Sequence, residues 1–498
     1  MLAGALVLLV AVAAVRLTAR SGLPSLLLYL AIGMALGRDG LGVEFSDAEL
    51  TQVLGYAALV VILAEGGLGT RWRDIRPAVP AAAALATAGV GISVGVTAAA
   101  AHYLAGLPWE SALVMGAVVS STDAAAVFSV LRRVPLPRRL TGILEAESGF
   151  NDAPVIILVV AFSATEHATG HGHWYLLLGE MALELAVGLA AGLVVGRVGA
   201  LALRHVALPA SGLYPIAVLA LAVLAYAGGA LLHGSGFLAV YVAAVTLGNA
   251  RLPHRPATRG FAEAVAWVAQ IGLFVLLGLL VDPDDLWNDV GSALLVGGAL
   301  TLVARPLSVL VALLPFRLPW REQAMLSWAG LRGAVPIVLA IIPVVGGVEG
   351  SDRIFSVVFV LVVIFTLVQG PTLPWLARRL GLAGGEQAVD VDIESAPLDR
   401  LRGHLLSVAI PGASRMNGVE VRELRLPAQA AVTLVVRDGT SFVPQPDTVL
   451  RHGDELLVVA TDAVRDAVER RLIAVGRGGK LVGWLGRGGS TGLRGQRE

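Results

Sequence analysis

Long apolar runs fill the first 380 residues of this 498-residue chain and constrain its fold more than any other feature. Stretches such as Ser111–Leu131 and Gly291–Leu314 have the length of the roughly 20 residues that an α-helix needs to cross a bilayer. Only 15% of the residues are charged, 56% are hydrophobic, and the mean hydropathy is +0.77. A soluble domain carries roughly 25% charged residues, so this chain lacks the polar surface to cover water-exposed cores. Nor does a single soluble core grow to this size. The expected fold is an all-α polytopic membrane protein, followed by a small α/β cytoplasmic domain. Thirteen candidate spans fall near 2–18, 22–37, 51–69, 78–104, 111–131, 141–165, 174–203, 211–232, 233–250, 261–281, 291–314, 323–346 and 353–377.

The charges between these spans orient them. Eighteen arginines, from Arg16 and Arg20 to Arg378 and Arg379, follow odd-numbered spans or their ends, and only Arg38 and Arg353 follow even-numbered ones. The even-numbered loops are acidic instead, with Glu44, Asp47 and Glu49 in one and Asp282, Asp284, Asp285 and Asp289 in another. This alternation follows the positive-inside rule and places the N-terminus outside and the C-terminus in the cytoplasm. The run Leu2–Val15 has no basic residues before it, so it reads as a first span and not a cleaved signal. Basic and acidic residues balance at 37 each, which gives no argument for a nucleic-acid partner. With no cysteine, disulfides, thiol catalysis and zinc–thiolate sites are excluded.

Composition changes beyond Arg379. Residues 1–380 form the transmembrane unit, 381–400 an acidic polar linker, 401–475 the small cytoplasmic domain, and 476–498 a Gly- and Arg-rich tail expected to be disordered. Within the domain, Leu405–Ile410, Ala430–Val436 and Glu455–Ala460 read as strands separated by turn signals such as Asp438-Gly439. Asp462 is a candidate cap for a final helix through Leu472.

Charge within hydrocarbon costs about 2.5–3.5 kcal/mol per residue on insertion scales, so each instance is a functional candidate. Thr122-Asp123 precedes three alanines in the middle of the fifth span. That is the pattern of an N-cap, and a helix restarting there implies a break that lipid does not tolerate unless it is buried or lines a polar cavity. The sixth span holds Glu145, Glu147, Ser148, Asn151 and Asp152. Glu147 with Asn151 and Ser148 with Asp152 are spaced four apart, as neighbours on a helix are. The twelfth span carries Arg332 between Gly330, Gly333 and Pro336, a second candidate break. Arg332 either pairs with a buried acid, with Glu147 as the candidate, or reaches the cytoplasmic interface. Glu65 near the end of the third span is either a site residue or an interfacial carboxylate. Glu180 and Glu184 have no assigned role. His167, His171 and His173 read as a solvated turn, with a transition-metal site as the alternative. Breaks seven spans apart run antiparallel across the membrane, as inverted repeats require, and paired discontinuous helices point to a transporter's midplane site.

Three motifs now stand in order: Ser121-Thr122-Asp123-Ala124-Ala125-Ala126-Val127, Glu147-Ser148-Gly149-Phe150-Asn151-Asp152, and Leu331-Arg332-Gly333-Ala334-Val335. Together they resemble the bacterial monovalent cation:proton antiporter-1 family, nearest to its cell-volume-regulation potassium/proton antiporters. The resemblance implies a homodimer in the plasma membrane with thirteen helices per subunit and two crossed discontinuous helices. It implies that Asp152 binds either a cation or a proton, with Asp123, Thr122 and Ser148 completing the coordination and Glu65 nearby. Asn151 stands where electrogenic relatives carry a second acid, which implies electroneutral exchange for cation and pH homeostasis. Glu147 and Arg332 would form a structural ion pair. The stretch from Ile410-Pro411-Gly412 to Arg451-His452-Gly453-Asp454 is similar to a TrkA-C type module, which implies dimerisation and a small regulatory ligand on residues 401–475.

The expected chemistry is competition. Burial penalises a bare carboxylate, so such a group is held either protonated or paired with a cation. No cofactor and no enzymatic activity are called for: no His-Glu-x-x-His motif occurs, and no phosphate loop ending in Gly-Lys-Ser/Thr. Sodium/proton antiport is the alternative within the class. A ligand-gated potassium channel is the alternative outside it, although no Thr-Val-Gly-Tyr-Gly filter is present.

Overall fold

The structure, a computed structural model, describes residues 4, 6–13, 25–38, 40–43, 45, 47–131, 134, 136–164, 174–206, 208–250, 252–281, 283–382, 392–398, 403–412, 414–461 and 463–479. The histidines at 167, 171 and 173 and the tail from 480 lie outside the described residues. The chain divides into two compact units, Met1–Ala383 and Gly384–Glu498.

The first unit is helical. Its principal helices are α1 (Ser25–Leu36), α2 (Ala48–Gly69), α3 (Val79–Tyr103), α4 (Trp109–Val118), α5 (Ala124–Leu131), α6 (Arg138–Ser163) and α7 (Trp174–His205). They continue with α8 (Leu213–Leu231), α9 (Gly236–Asn249), α10 (Arg255–Leu279), α11 (Leu286–Phe316), α12 (Trp320–Trp328), α13 (Ala334–Val345) and α14 (Ser351–Arg379). Seven of these are long and apolar enough to cross a membrane, among the described residues. Four shorter apolar helices, α1, α4, α9 and α13, lie in stretches that the hydropathy pattern also marks as spans. Local signals set several starts: Asp47 caps α2 by accepting the Leu50 amide at 2.8 Å, and Ser235 caps α9 through Leu238.

The fifth and twelfth apolar stretches are both interrupted near their middles. The chain leaves α4 at Val118 and restarts at Ala124; it leaves α12 at Trp328 and restarts at Ala334. The helix preceding each interrupted one carries a widened π turn, Leu85–Gly89 in α3 and Leu300–Ala304 in α11, a feature that concentrates at functional sites. These turns lie 215 residues apart in sequence. At the same 215-residue offset, the Ser93 and Ser308 hydroxyls hydrogen-bond to each other at 2.8 Å, fully buried. The two halves of the unit thus meet at corresponding positions.

The helices gather into two bundles, α1, α2, α7, α8, α9 and α10 in one, and the remaining helices, including both broken ones, in the other. Glycines at every fourth position, Gly188, Gly192 and Gly196, let α7 lie directly on α9. A Cβ at Gly188 or Gly192 would come within 2.5 Å of a carbonyl oxygen of Ser235 or Ala239, the close approach that small residues allow between membrane helices. At the seam between the bundles, the Tyr241 ring of α9 packs edge-on against Phe150 of α6 at 5.8 Å. The same ring covers Gly149, where a Cβ would stand 2.2 Å from it.

The second unit is an antiparallel five-stranded sheet, β1 (Asp392–Leu398), β2 (Gly403–Ala409), β3 (Ala430–Arg437), β4 (Thr440–Phe442) and β5 (Glu455–Thr461), in the order β1-β2-β5-β3-β4. A helix, α15 (Arg465–Gly478), follows. Leu406 and Val408 of β2 and Leu456, Val458 and Ala460 of β5 alternate inward, as the period of two requires. Val468, Leu472 and Val475 form the helical stripe that closes this core. The sheet differs from the sequence reading at its edge. Residues 392–398, within the stretch expected to be an acidic linker, pair with β2 along Asp392↔Ala409 to Leu398↔Gly403. An edge strand pairs on one side only and is commonly charged, so Asp392 and Glu394 gave it the composition of a linker. The helix also begins at Arg465 and continues past Leu472, into the stretch read as disordered tail.

Asp454, 1% exposed, is the polar clasp of this unit. Its carboxylate accepts from Arg437 Nε at 2.8 Å and Nη2 at 2.7 Å and from the Arg451 amide at 2.8 Å. Burial acts to raise its pKa, but the Arg437 bonds, the Arg451 amide and both positive charges hold it below the ordinary carboxylate value. Asp454→Asn should lower the stability of this unit by about 2 kcal/mol, the scale of hydrogen bonds to charged groups. In the native protein the contribution is complete above the unfolded carboxylate value of about 3.9 and is lost as pH falls through the lower folded value. Hydrogen exchange of the β5 amides, corrected for intrinsic rates, should show that acid step in the native chain and not in the variant.

Candidate functional site

The site is assembled where α6 passes the two breaks. Helix spacing sets Glu147 and Asn151 on one rung of α6 and Ser148 and Asp152 on the next. Glu147, Asn151 and Asp152 are all buried, at 2%, 1% and 4% exposure. From the segment between α4 and α5, the Ser121 hydroxyl donates to Asp152 Oδ1 at 2.6 Å. Thr122 Oγ1 accepts from Asn151 Nδ2, also at 2.6 Å. Asn151 Oδ1 is buried with no hydrogen-bond partner among the described residues. Asp123 lies within electrostatic reach of Asp152.

The breaks cross in direct contact. The Asp123 amide donates to the Leu331 carbonyl at 2.8 Å, and Arg332 Nε donates to the Val119 carbonyl at 2.8 Å. Asp123 Oδ1 accepts from the Ala126 amide at 3.1 Å, capping the start of α5. Its other oxygen lies against Gly333, the residue before α13, where a Cβ would fall 1.8 Å from it. The Arg332 guanidinium serves the opposite ends, bonding Val119 after α4 and Gly330 after α12. Thr366 of α14 donates to the Arg332 carbonyl at 3.2 Å. Negative charge therefore stands at two helix N-termini and positive charge at two C-termini, each opposing the local helix dipole.

The expected ion pair takes a different partner. Glu147 is held by Arg305, Nη1 to Oε1 at 2.5 Å and Nη2 to Oε2 at 2.9 Å, and not by Arg332. Arg305 is the first residue after the π turn of α11, and the bidentate fork suits a planar carboxylate. The crossing thus brings Thr122, Asp123, Asn151 and Asp152 together, with Ser148 one turn before Asp152. Glu65 is half-buried on α2, has no hydrogen bond to this cluster among the described residues, and has Glu263 of α10 as an electrostatic neighbour. Ser121 and Arg305 are the residues that sequence reasoning passed over. Arg305 carried a usable signal, an arginine fourteen positions into the apolar run 291–314. Ser121 opens the first of the three motifs, which gave it a signal but no role. Carboxylate, hydroxyl and amide oxygens at a dry site form a donor set for a hard cation, and the same carboxylate can instead take a proton.

Removing one partner of a buried ion pair costs about 3–5 kcal/mol because the other charge is left bare. Glu147→Gln and Arg305→Gln should each lower the unfolding temperature of the purified protein sharply, and the double variant should regain most of the loss. A double-mutant cycle of Glu147 with Arg332 should show the smaller coupling. Gly333→Ala should displace the Asp123 carboxylate and abolish transport in vesicles while the protein still inserts.

Comparison with known proteins places this architecture. Residues 5–379 match the family described as sodium/hydrogen exchanger, transmembrane, and residues 405–473 match the TrkA-C domain. The K(+)/H(+) antiporter NhaP of Alkalimonas amylolytica is 36% identical over 463 residues, 91% of this chain and 79% of that one. The K(+)/H(+) antiporter NhaP2 of Shewanella oneidensis is 34% identical over 475 residues, 94% of this chain and 82% of that one. The structure of the sodium proton antiporter MjNhaP1 from Methanocaldococcus jannaschii superposes with a TM-score of 0.67 at 22% identity, covering 76% of this chain and 97% of that one. In fold and in sequence the chain belongs to the sodium/hydrogen exchanger family and carries a C-terminal TrkA-C domain.

Proposed function

We propose that the protein is a secondary active potassium/proton antiporter whose single exchange site is the Asp152 carboxylate. The observation that carries this reading is a buried acid held by Ser121 beside an Asn151 oxygen with no hydrogen-bond partner among the described residues, at the crossing of two helix breaks. A bare carboxylate at that depth is costly, so Asp152 is occupied by a proton or by a cation and not by both. Asp123, Thr122, Ser148 and Asn151 supply the neighbouring oxygens; Glu65, with no hydrogen bond to them among the described residues, is the remaining acid of the proposed set. If only the occupied forms change access, inflow of one ion drives outflow of the other without a nucleotide, and no enzymatic step is involved.

The neutral Asn151 beside Asp152 supports electroneutral exchange of one cation per proton. The two relatives named K(+)/H(+) antiporters, at 34–36% identity, favour potassium; sodium is the alternative, favoured by the name of the structural neighbour. The alternating arginine bias supports a plasma-membrane location with the N-terminus outside and the C-terminus in the cytoplasm. The TrkA-C domain supports assembly as a homodimer and control by a small ligand bound to residues 401–475.

In everted vesicles Asp152→Asn should abolish potassium-driven proton movement while the protein remains in the membrane; wild-type rates would refute the assignment. In proteoliposomes an imposed membrane potential should leave the native exchange rate unchanged. A potential-dependent rate would exclude the one-for-one stoichiometry. Deleting residues 400–498 should keep transport but change its regulation.

A further inference from the structure

A cavity of about 950 Å³ opens between α7 on one side and α3 and α6 on the other, with α9 as its floor. Its walls are aliphatic along Leu189 and Leu193 of α7, and its inner end is formed by Phe150 and Pro154 of α6. Its other end is different, for there Arg197 and Arg204 line it. Both are exposed, and neither guanidinium has a hydrogen-bond or ion-pair partner among the described residues.

Position makes these arginines unusual. They are seven residues apart and so share one face of α7. The 32 residues of α7 span about 48 Å at ~1.5 Å per residue, against ~30 Å of hydrocarbon. Centred in the bilayer, the helix overhangs by roughly 9 Å at each end, which sets Arg197, eight positions before the helix end, near the hydrocarbon boundary. An uncompensated charge at that depth calls for a counter-charge from its surroundings. Arginine side chains reach toward the headgroup layer, where lipid phosphates supply one. A free phosphate would satisfy the guanidiniums but would leave the long aliphatic trough without an occupant.

We propose that this cavity binds one anionic phospholipid, its phosphate between Arg197 and Arg204 and its acyl chains along Leu189 and Leu193 toward Phe150 and Pro154. Charge complementarity selects the headgroup, and the apolar walls select a lipid over a soluble anion. The α6 residues that line it, Phe150 and Pro154, are each two positions from Asp152 and therefore on the other side of that helix; the proposal stands independently of what the protein transports.

Native mass spectrometry of the delipidated full chain, titrated separately with phosphatidylglycerol and phosphatidylcholine, tests it. The native protein should retain one phosphatidylglycerol in preference to phosphatidylcholine. Each basic side chain near an anionic membrane surface is worth about fivefold in binding. Arg197→Gln and Arg204→Gln should therefore each weaken phosphatidylglycerol by about that factor and leave phosphatidylcholine unchanged. Leu189→Trp, which narrows the trough and keeps both arginines, should weaken both lipids. Equal phosphatidylglycerol binding by native and arginine variants would overturn the proposal. So would its displacement by equimolar inorganic phosphate, or a change in dimer fraction with unaltered lipid binding, which would assign the face to a second copy of the chain.

Discussion

Two interrupted helices that meet at their breaks expose more unpaired backbone than a bilayer tolerates, and the membrane unit is organised around meeting that demand. The backbone of each break pairs with the other, Asp123 amide to Leu331 carbonyl, and Arg332 reaches across to Val119. The remaining ends are answered by charge of the correct sign, with Asp123 at the starts of α5 and α13 and Arg332 at the ends of α4 and α12. Neither residue is a charge added to a finished scaffold. Each is the condition under which the crossing can exist.

Once the crossing stands, the chemistry of α6 follows. Ser121 and Thr122 lie in non-helical backbone, so their hydroxyls are aimed at the helix that passes them and not folded back onto their own turn. Asp123 and Arg332 are occupied by helix ends, and Glu147 is occupied by Arg305. Asp152 is left as the buried acid held, among the described residues, by a hydroxyl and by no arginine. The bidentate pair beneath it fixes α6 against α11 through the residue that follows a π turn, so the acid's height relative to the breaks is set by rigid elements.

Much of this was legible in the text of the chain. Apolar run length gave the helical membrane unit, and the Thr122-Asp123 cap and the Gly330–Pro336 cluster marked both interruptions. Spacing of four along α6 paired Glu147 with Asn151 and Ser148 with Asp152. Partner choice was not legible: Glu147 is three-dimensionally closer to Arg305 than to Arg332, although Arg332 looked the more anomalous charge in one dimension. The edge strand at 392–398 was hidden for a related reason, because pairing on one side leaves a strand with the composition of a loop. Glu65 shows the converse, a residue with a suggestive position that no contact in the described structure ties to the cluster.

The contact between Gly149 and Tyr241 carries a consequence for speed. Beside Asp152, the α9 side of one bundle meets the α6 side of the other through an aromatic ring lying on bare main chain, with Ala153 packed on Leu238 and Val242 next to it. Any displacement of one bundle along the other must drag that ring across this spot, where a single methyl group would act as a brake. In the proposed antiporter, a change at this contact would alter how fast the machine cycles and leave the choice of cargo to residues elsewhere.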